Sequence, residues 1–141
     1  MRLAFAADHA GATLKAELAE RARAAGHEVV DLGTDGAESV DYPDFGRCCA
    51  ERVALGEVDR GVVVCGTGIG IAMAANRIGG ARCAVAHDVT TARLARSHND
   101  ANMLAIGARV VGAQVAVDCL MAFLDTAFEG GRHQRRVAKL G

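Results

Sequence analysis

Cys65 stands where two sequence patterns meet. Three valines, Val62-Val63-Val64, precede it, and Gly66-Thr67-Gly68-Ile69-Gly70-Ile71 follows, running on into Ala72-Met73-Ala74-Ala75-Asn76. A valine run favours a strand buried on both faces, and alanines with methionine favour a helix, so the thiol sits at a strand-to-helix turn. Glycines there let backbone N–H groups approach an anion, and the positive end of the helix dipole adds to the attraction. The chemistry on offer is a nucleophile or base beside an anion cradle. The alternative is a tight packing turn carrying a small, inert, buried thiol.

Other reactive side chains lie further along. Asp8-His9 and His87-Asp88 each follow an apolar run, and His98-Asn99-Asp100 forms a polar knot. Histidine can move protons near neutral pH, although a loop histidine is more often simply solvated. For His87-Asp88 a capping or structural role is expected. Arg132 and Arg136 share one face if the tail is helical, and two guanidinium forks suit a phosphate; a solvated basic tail is the alternative. Common nucleotide and phosphatase patterns fail. A G-x-G-x-x-G reading puts Ile71 or Met73 at the third glycine, no Gly-Lys-Ser/Thr follows, and Ile71 occupies the place of a phosphatase arginine.

The elements that must position these residues can be read from the pattern. Residues Arg2 to Ala7 form a first buried strand, and Leu14, Leu18 and Ala22 mark a helix that Gly26 stops. His27 to Leu32 is a second strand, followed by a loop from Gly33 to Val40 with a turn at Asp35-Gly36. Pro43 suits the first turn of a helix with Phe45, Cys49 and Val53 on one side, ending near Gly56. The valine strand leads to a helix expected to reach Ile78, then Arg82 to Ala86 gives a fourth strand. Thr90-Thr91 can cap a helix through Ser97, and Asn102 to Gly107 is a fifth strand. Val115, Cys119, Phe123 and Ala127 signal a last long helix that Gly130-Gly131 should stop, leaving a basic tail. Five strands alternating with helices make a parallel sheet covered on both faces, with ligands at the carboxyl ends of its strands. Asp8-His9 and the Cys65 loop lie at such ends; His98 lies just ahead of a strand instead.

Length and composition agree with one domain. The 141 residues carry 16 Lys and Arg against 17 Asp and Glu, which gives no general drive toward nucleic acid or membrane. No membrane span or signal peptide is legible, so a cytoplasmic protein is expected. Five cysteines without C-x-x-C spacing read as reduced thiols rather than disulfides or zinc ligands; Cys48, Cys49, Cys83 and Cys119 read as buried apolar residues.

Taken together, Asp8-His9, Asp41-Tyr42-Pro43, Cys65 to Gly70, Ala74-Ala75-Asn76, Arg93 to Asp100, Gly107-Ala108-Arg109-Val110-Val111-Gly112 and Glu129 to His133 resemble the ribose-5-phosphate isomerase B family along nearly the whole chain. The resemblance implies a Rossmann-like three-layer α/β/α sandwich with a five-stranded parallel sheet, and aldose-ketose isomerisation of a sugar phosphate without metal or other cofactor. It also implies a homodimer with sites between subunits, with pairing into tetramers left open and residues 131–141 packing on a partner subunit.

By the same resemblance Cys65 is the base, Gly66, Gly68, Ile69 and Gly70 offer N–H groups to an enediolate, and Thr67 contacts the substrate. His98 assists ring opening, Asp8 and Asn99 bind sugar hydroxyls, and Tyr42 belongs to the substrate pocket. His9, Arg109, Arg132 and Arg136 surround the phosphate. One branch of the family uses a glutamate on the following helix in place of the thiol; Ile71 holds that position here, which puts this chain in the thiol branch. Allose 6-phosphate and galactose 6-phosphate remain alternative substrates, and a non-catalytic phosphosugar-binding module remains an alternative of another class.

Overall fold

In the computed structural model, which describes residues 1–141, five strands and six helices alternate along the chain. They are β1 (Arg2–Ala7), α1 (Ala12–Ala24), β2 (Glu28–Asp31), α2 (Tyr42–Ala54), β3 (Arg60–Cys65), α3 (Ile69–Ala75), β4 (Cys83–Val85), α4 (Val89–Ser97), β5 (Met103–Gly107), α5 (Ala113–Asp125) and α6 (Arg132–Ala138). All strand pairs are parallel, in the order β2-β1-β3-β5-β4. The order reverses between β1 and β3, where a crevice opens at the carboxyl edge of such sheets.

Alternation along the central strands builds a core on each face. Leu3, Phe5, Val62, Val64, Leu104 and Ile106 pack with apolar residues of α1, α4 and α5, whereas Ala4, Ala6, Val63, Cys65, Met103 and Ala105 meet α2 and α3. This is the expected three-layer α/β/α sandwich. Lys15 of α1, 1% exposed, is paired with Asp31 and Asp35, and so ties α1 to the end of β2 and the loop after it.

Several boundaries differ from the pattern, each for a local reason. The third helix stops at Ala75, not Ile78, because Asn76 turns its side chain to the edge strand: Nδ2 donates to Cys83 O and Oδ1 accepts from Cys83 N, both at 2.8 Å. The cap of α4 is Asp88, not Thr90-Thr91; its Oδ1 accepts from Thr91 N at 2.7 Å. The last long helix ends at Asp125, well before Gly130. Arg60 Nη1 donates to Phe123 O and Leu124 O, Arg96 Nε donates to Thr126 O, and the Thr126 hydroxyl bonds Ala122 O, so the terminal carbonyls find partners early. The basic tail is helical. Cys49, Cys83 and Cys119 are buried as expected, but Cys48 is only half-buried, facing off the core side of α2.

Candidate active site

The loop after β3 is shaped by close backbone contacts. Gly68 has φ of 76°, a conformation that favours glycine, and a Cβ there would lie 2.9 Å from the Ile106 carbonyl carbon. Gly107 presses equally hard from β5, since a Cβ on it would stand 2.6 Å from the Thr67 carbonyl. Held between them, Gly68 N–H donates to Cys65 Sγ at 3.2 Å and Ile69 N–H to Thr67 Oγ1 at 3.2 Å. The N–H groups of Gly66, Thr67 and Gly70 find no acceptor in the chain. The loop therefore divides its donors: one amide supports the sulfur, one orders Thr67, and three stay available to an anion.

Around this loop gather most of the predicted site residues. Tyr42, at the start of α2, lays its ring against Gly70, where a Cβ would come within 2.6 Å of Cζ. Arg109 donates its main-chain N–H to Gly66 O at 3.0 Å and holds its guanidinium beside Gly66. At the end of β1, Asp8 N–H donates to Val64 O at 3.2 Å, and its buried carboxylate accepts from Gly11 N–H at 3.1 Å. His9 Nδ1 accepts from Val40 N–H at 3.2 Å, which leaves Nε2 as the donor nitrogen of the neutral ring. A cavity of about 400 Å³ lies beside His9, lined also by Thr13, Asp35 and Gly36.

The remaining predicted residues form a second group. Helix α4 starts after β4 and returns to the opposite edge, so His98, its C-cap, lies where β5 begins, whereas Cys65 pairs with Gly107 at the end of β5. Four residues of strand separate those levels, about 13 Å. Asn99 is exposed beside a cavity of about 370 Å³ that Leu140 of the tail also lines. Asp100, with φ of 45°, accepts from Arg82 and the buried Arg96, which fixes the turn after His98. Arg132 and Arg136 are exposed on α6. One chain thus brings Asp8, His9, Tyr42, Cys65, Gly66, Thr67, Gly68, Ile69, Gly70 and Arg109 together and keeps His98, Asn99, Arg132 and Arg136 apart from them.

Sequence reading assigned no role to His133, 8% exposed, whose ring stacks on that of His98 at 4.2 Å with 13° between planes. Its place between Arg132 and Arg136 was the available signal. Burial first, then the nearby charges of His98 and Arg132, hold its pKa below the ordinary value, with Glu129 opposing. The donor atoms of His98, Glu129 and His133 lie within 4.8 Å of one another. Near-parallel rings aim their in-plane lone pairs side by side, so these rotamers cannot share one ion.

Fold and loop together define an α/β enzyme of Rossmann-like architecture that sets a thiol among free amide donors. A family model described as Ribose/Galactose Isomerase matches residues 3–140, and the chain belongs to that family. It is 46% identical to ribose-5-phosphate isomerase B of Escherichia coli over 136 residues, 96% of this chain and 91% of the relative. The ribose-5-phosphate isomerase B structure from Clostridium thermocellum superposes with a TM-score of 0.99 at 52% identity, covering 100% of this chain and 95% of that one. That of Mycoplasma genitalium with bound ribulose-5-phosphate has a TM-score of 0.96 at 40% identity, covering 99% and 93%. The chain is accordingly an aldose-ketose isomerase acting on a sugar phosphate. No helix is long and apolar enough to cross a membrane.

Proposed function

We propose that this enzyme interconverts D-ribose 5-phosphate and D-ribulose 5-phosphate through an enediolate, as a cytoplasmic homodimer whose sites lie between subunits. The observation that carries the reading is the buried Cys65 sulfur beside the free N–H groups of Gly66, Thr67 and Gly70. A hydrogen alpha to a carbonyl is a weak acid, so rate depends on a positioned base and on donors that meet the oxyanion as it forms. The Cys65 thiolate takes the proton from C2 of the open aldose, charge collects on the former carbonyl oxygen against the loop amides, the O2 hydroxyl proton passes to O1, and the thiol returns its proton at C1.

The other site residues, from both groups, serve the rest of the substrate. His98 assists ring opening, Asp8 and Asn99 hold hydroxyls, Tyr42 borders the sugar, and His9, Arg109, Arg132 and Arg136 take the phosphate, whose binding energy holds the reacting carbons at the thiolate. Because His98 and Cys65 lie at opposite sheet edges of one chain, a partner subunit supplies the missing half. The bound ribulose-5-phosphate of the Mycoplasma genitalium relative supports a pentose phosphate.

A hexose 6-phosphate is the second reading, favoured by the roomy cavity between His9 and Gly36. Comparing kcat/KM on ribose 5-phosphate, allose 6-phosphate and galactose 6-phosphate tests both: ribose 5-phosphate should be preferred. A hexose preference would move the assignment within the family, and binding without turnover of any of them would leave a phosphosugar-binding module. Exhaustive chelation should leave turnover unchanged, because amide donors carry the developing charge.

A further inference from the structure

We propose that His133 is a positioning residue for His98, holding by ring stacking the imidazole that assists sugar ring opening. The inference rests on the reading of His98 given above. His98 needs such a partner. It is a helix C-cap, half-exposed, with its main-chain N–H on Leu94 O at 2.9 Å and no hydrogen bond from its ring. What fixes its plane is the His133 ring, parallel to within 13° at 4.2 Å.

His133 is itself well anchored. It is 8% exposed, its N–H donates to Gly130 O at 3.0 Å, and Glu129 Oε2 lies 3.8 Å from its Nε2. Glu129 N–H donates to Ser97 O at 3.0 Å, so the segment entering α6 and the end of α4 are clamped at adjacent residues, once through the main chain and once through the rings. Burial and the charges of His98, Arg132 and Arg136 disfavour a proton on His133 against the single opposing carboxylate of Glu129.

Two variants of the full-length enzyme separate stacking from the other possible roles. His133→Ala removes the stack; His133→Phe keeps a flat ring and removes the proton site. The Ala variant should lose about tenfold in kcat with KM changed by less than about twofold, and the Phe variant should recover most of the loss. Both should still wash isotopic label from C1 of ribulose 5-phosphate, since that step needs Cys65 and an open chain but no ring opening. A raised KM with unchanged kcat would mean that the tail and its arginines have moved, and would overturn the proposal. So would a Phe variant as slow as Ala, wild-type turnover in Ala, or label exchange falling in step with isomerisation. The His98 Cε1 proton resonance gives a readout independent of activity. It should shift when the neighbouring ring is lost in His133→Ala and move less in His133→Phe; a signal indifferent to both removes the stack even if the enzyme proves to use another substrate.

Discussion

Cys65 illustrates how much a single side chain owes to main-chain atoms. The residue is 4% exposed and its sulfur accepts from Gly68 N–H, a partner that costs no side-chain entropy. Replacing it by alanine should cut turnover at least about a hundredfold in steady-state assays while inorganic phosphate still binds; unchanged turnover would remove the thiol from the mechanism. His133 gives a stability prediction. Its folded pKa lies below that of an unfolded histidine, so protons favour the unfolded chain; this penalty is absent above about pH 6.5 and grows as pH falls below it. In His133→Phe the melting temperature should therefore fall less between pH 7 and pH 5 than in the wild type. The thiol's place at a strand-to-helix turn was legible from valines meeting glycines. Its hydrogen-bond partner was not, because which amide turns toward the sulfur depends on the positive φ of Gly68.

At the level of elements, the Cys65 loop is shaped as much by β5 as by its own glycines. Gly107 lies under Thr67, its N–H is held by His87 Nε2 at 3.0 Å, and any side chain on it would collide with the loop backbone. Gly107→Ala should lower kcat by more than tenfold, with the circular dichroism of the fold retained; full activity would show that the loop can shift freely. The structural role expected for His87-Asp88 is thus met on both sides, His87 against β5 and Asp88 at the start of α4. Helix and strand placement followed the periodic pattern closely because the central strands are buried on both faces and the glycine stops are strong. The end of α5 escaped it: Arg60 and Arg96 reach from β3 and α4 to its last turns, and their guanidiniums lie 5.4 and 5.9 Å from the Phe123 ring. Such long-range partners leave no mark in the local sequence.

In the whole molecule the division of the candidate site between two sheet edges is decisive. A mixture of Cys65→Ala and His98→Ala chains, each inactive alone, should recover about a quarter of wild-type activity after subunits reassort, since half of the dimers then carry one intact site. No recovery would mean that each chain completes its own site. The three-layer fold was legible from alternating strand and helix patterns, and the gap between His98 and Cys65 was already implicit in His98 preceding β5. The course of the tail was not, because too few apolar residues mark α6. Asn76 has a consequence of another kind. By taking both outward main-chain groups of Cys83 it occupies the rim of β4, and at the far rim β2 carries two acids, Glu28, largely open to water, and Asp31, paired with Lys15. Each margin is thus guarded against edge-to-edge aggregation, so the sheet resists continuing into a neighbouring molecule.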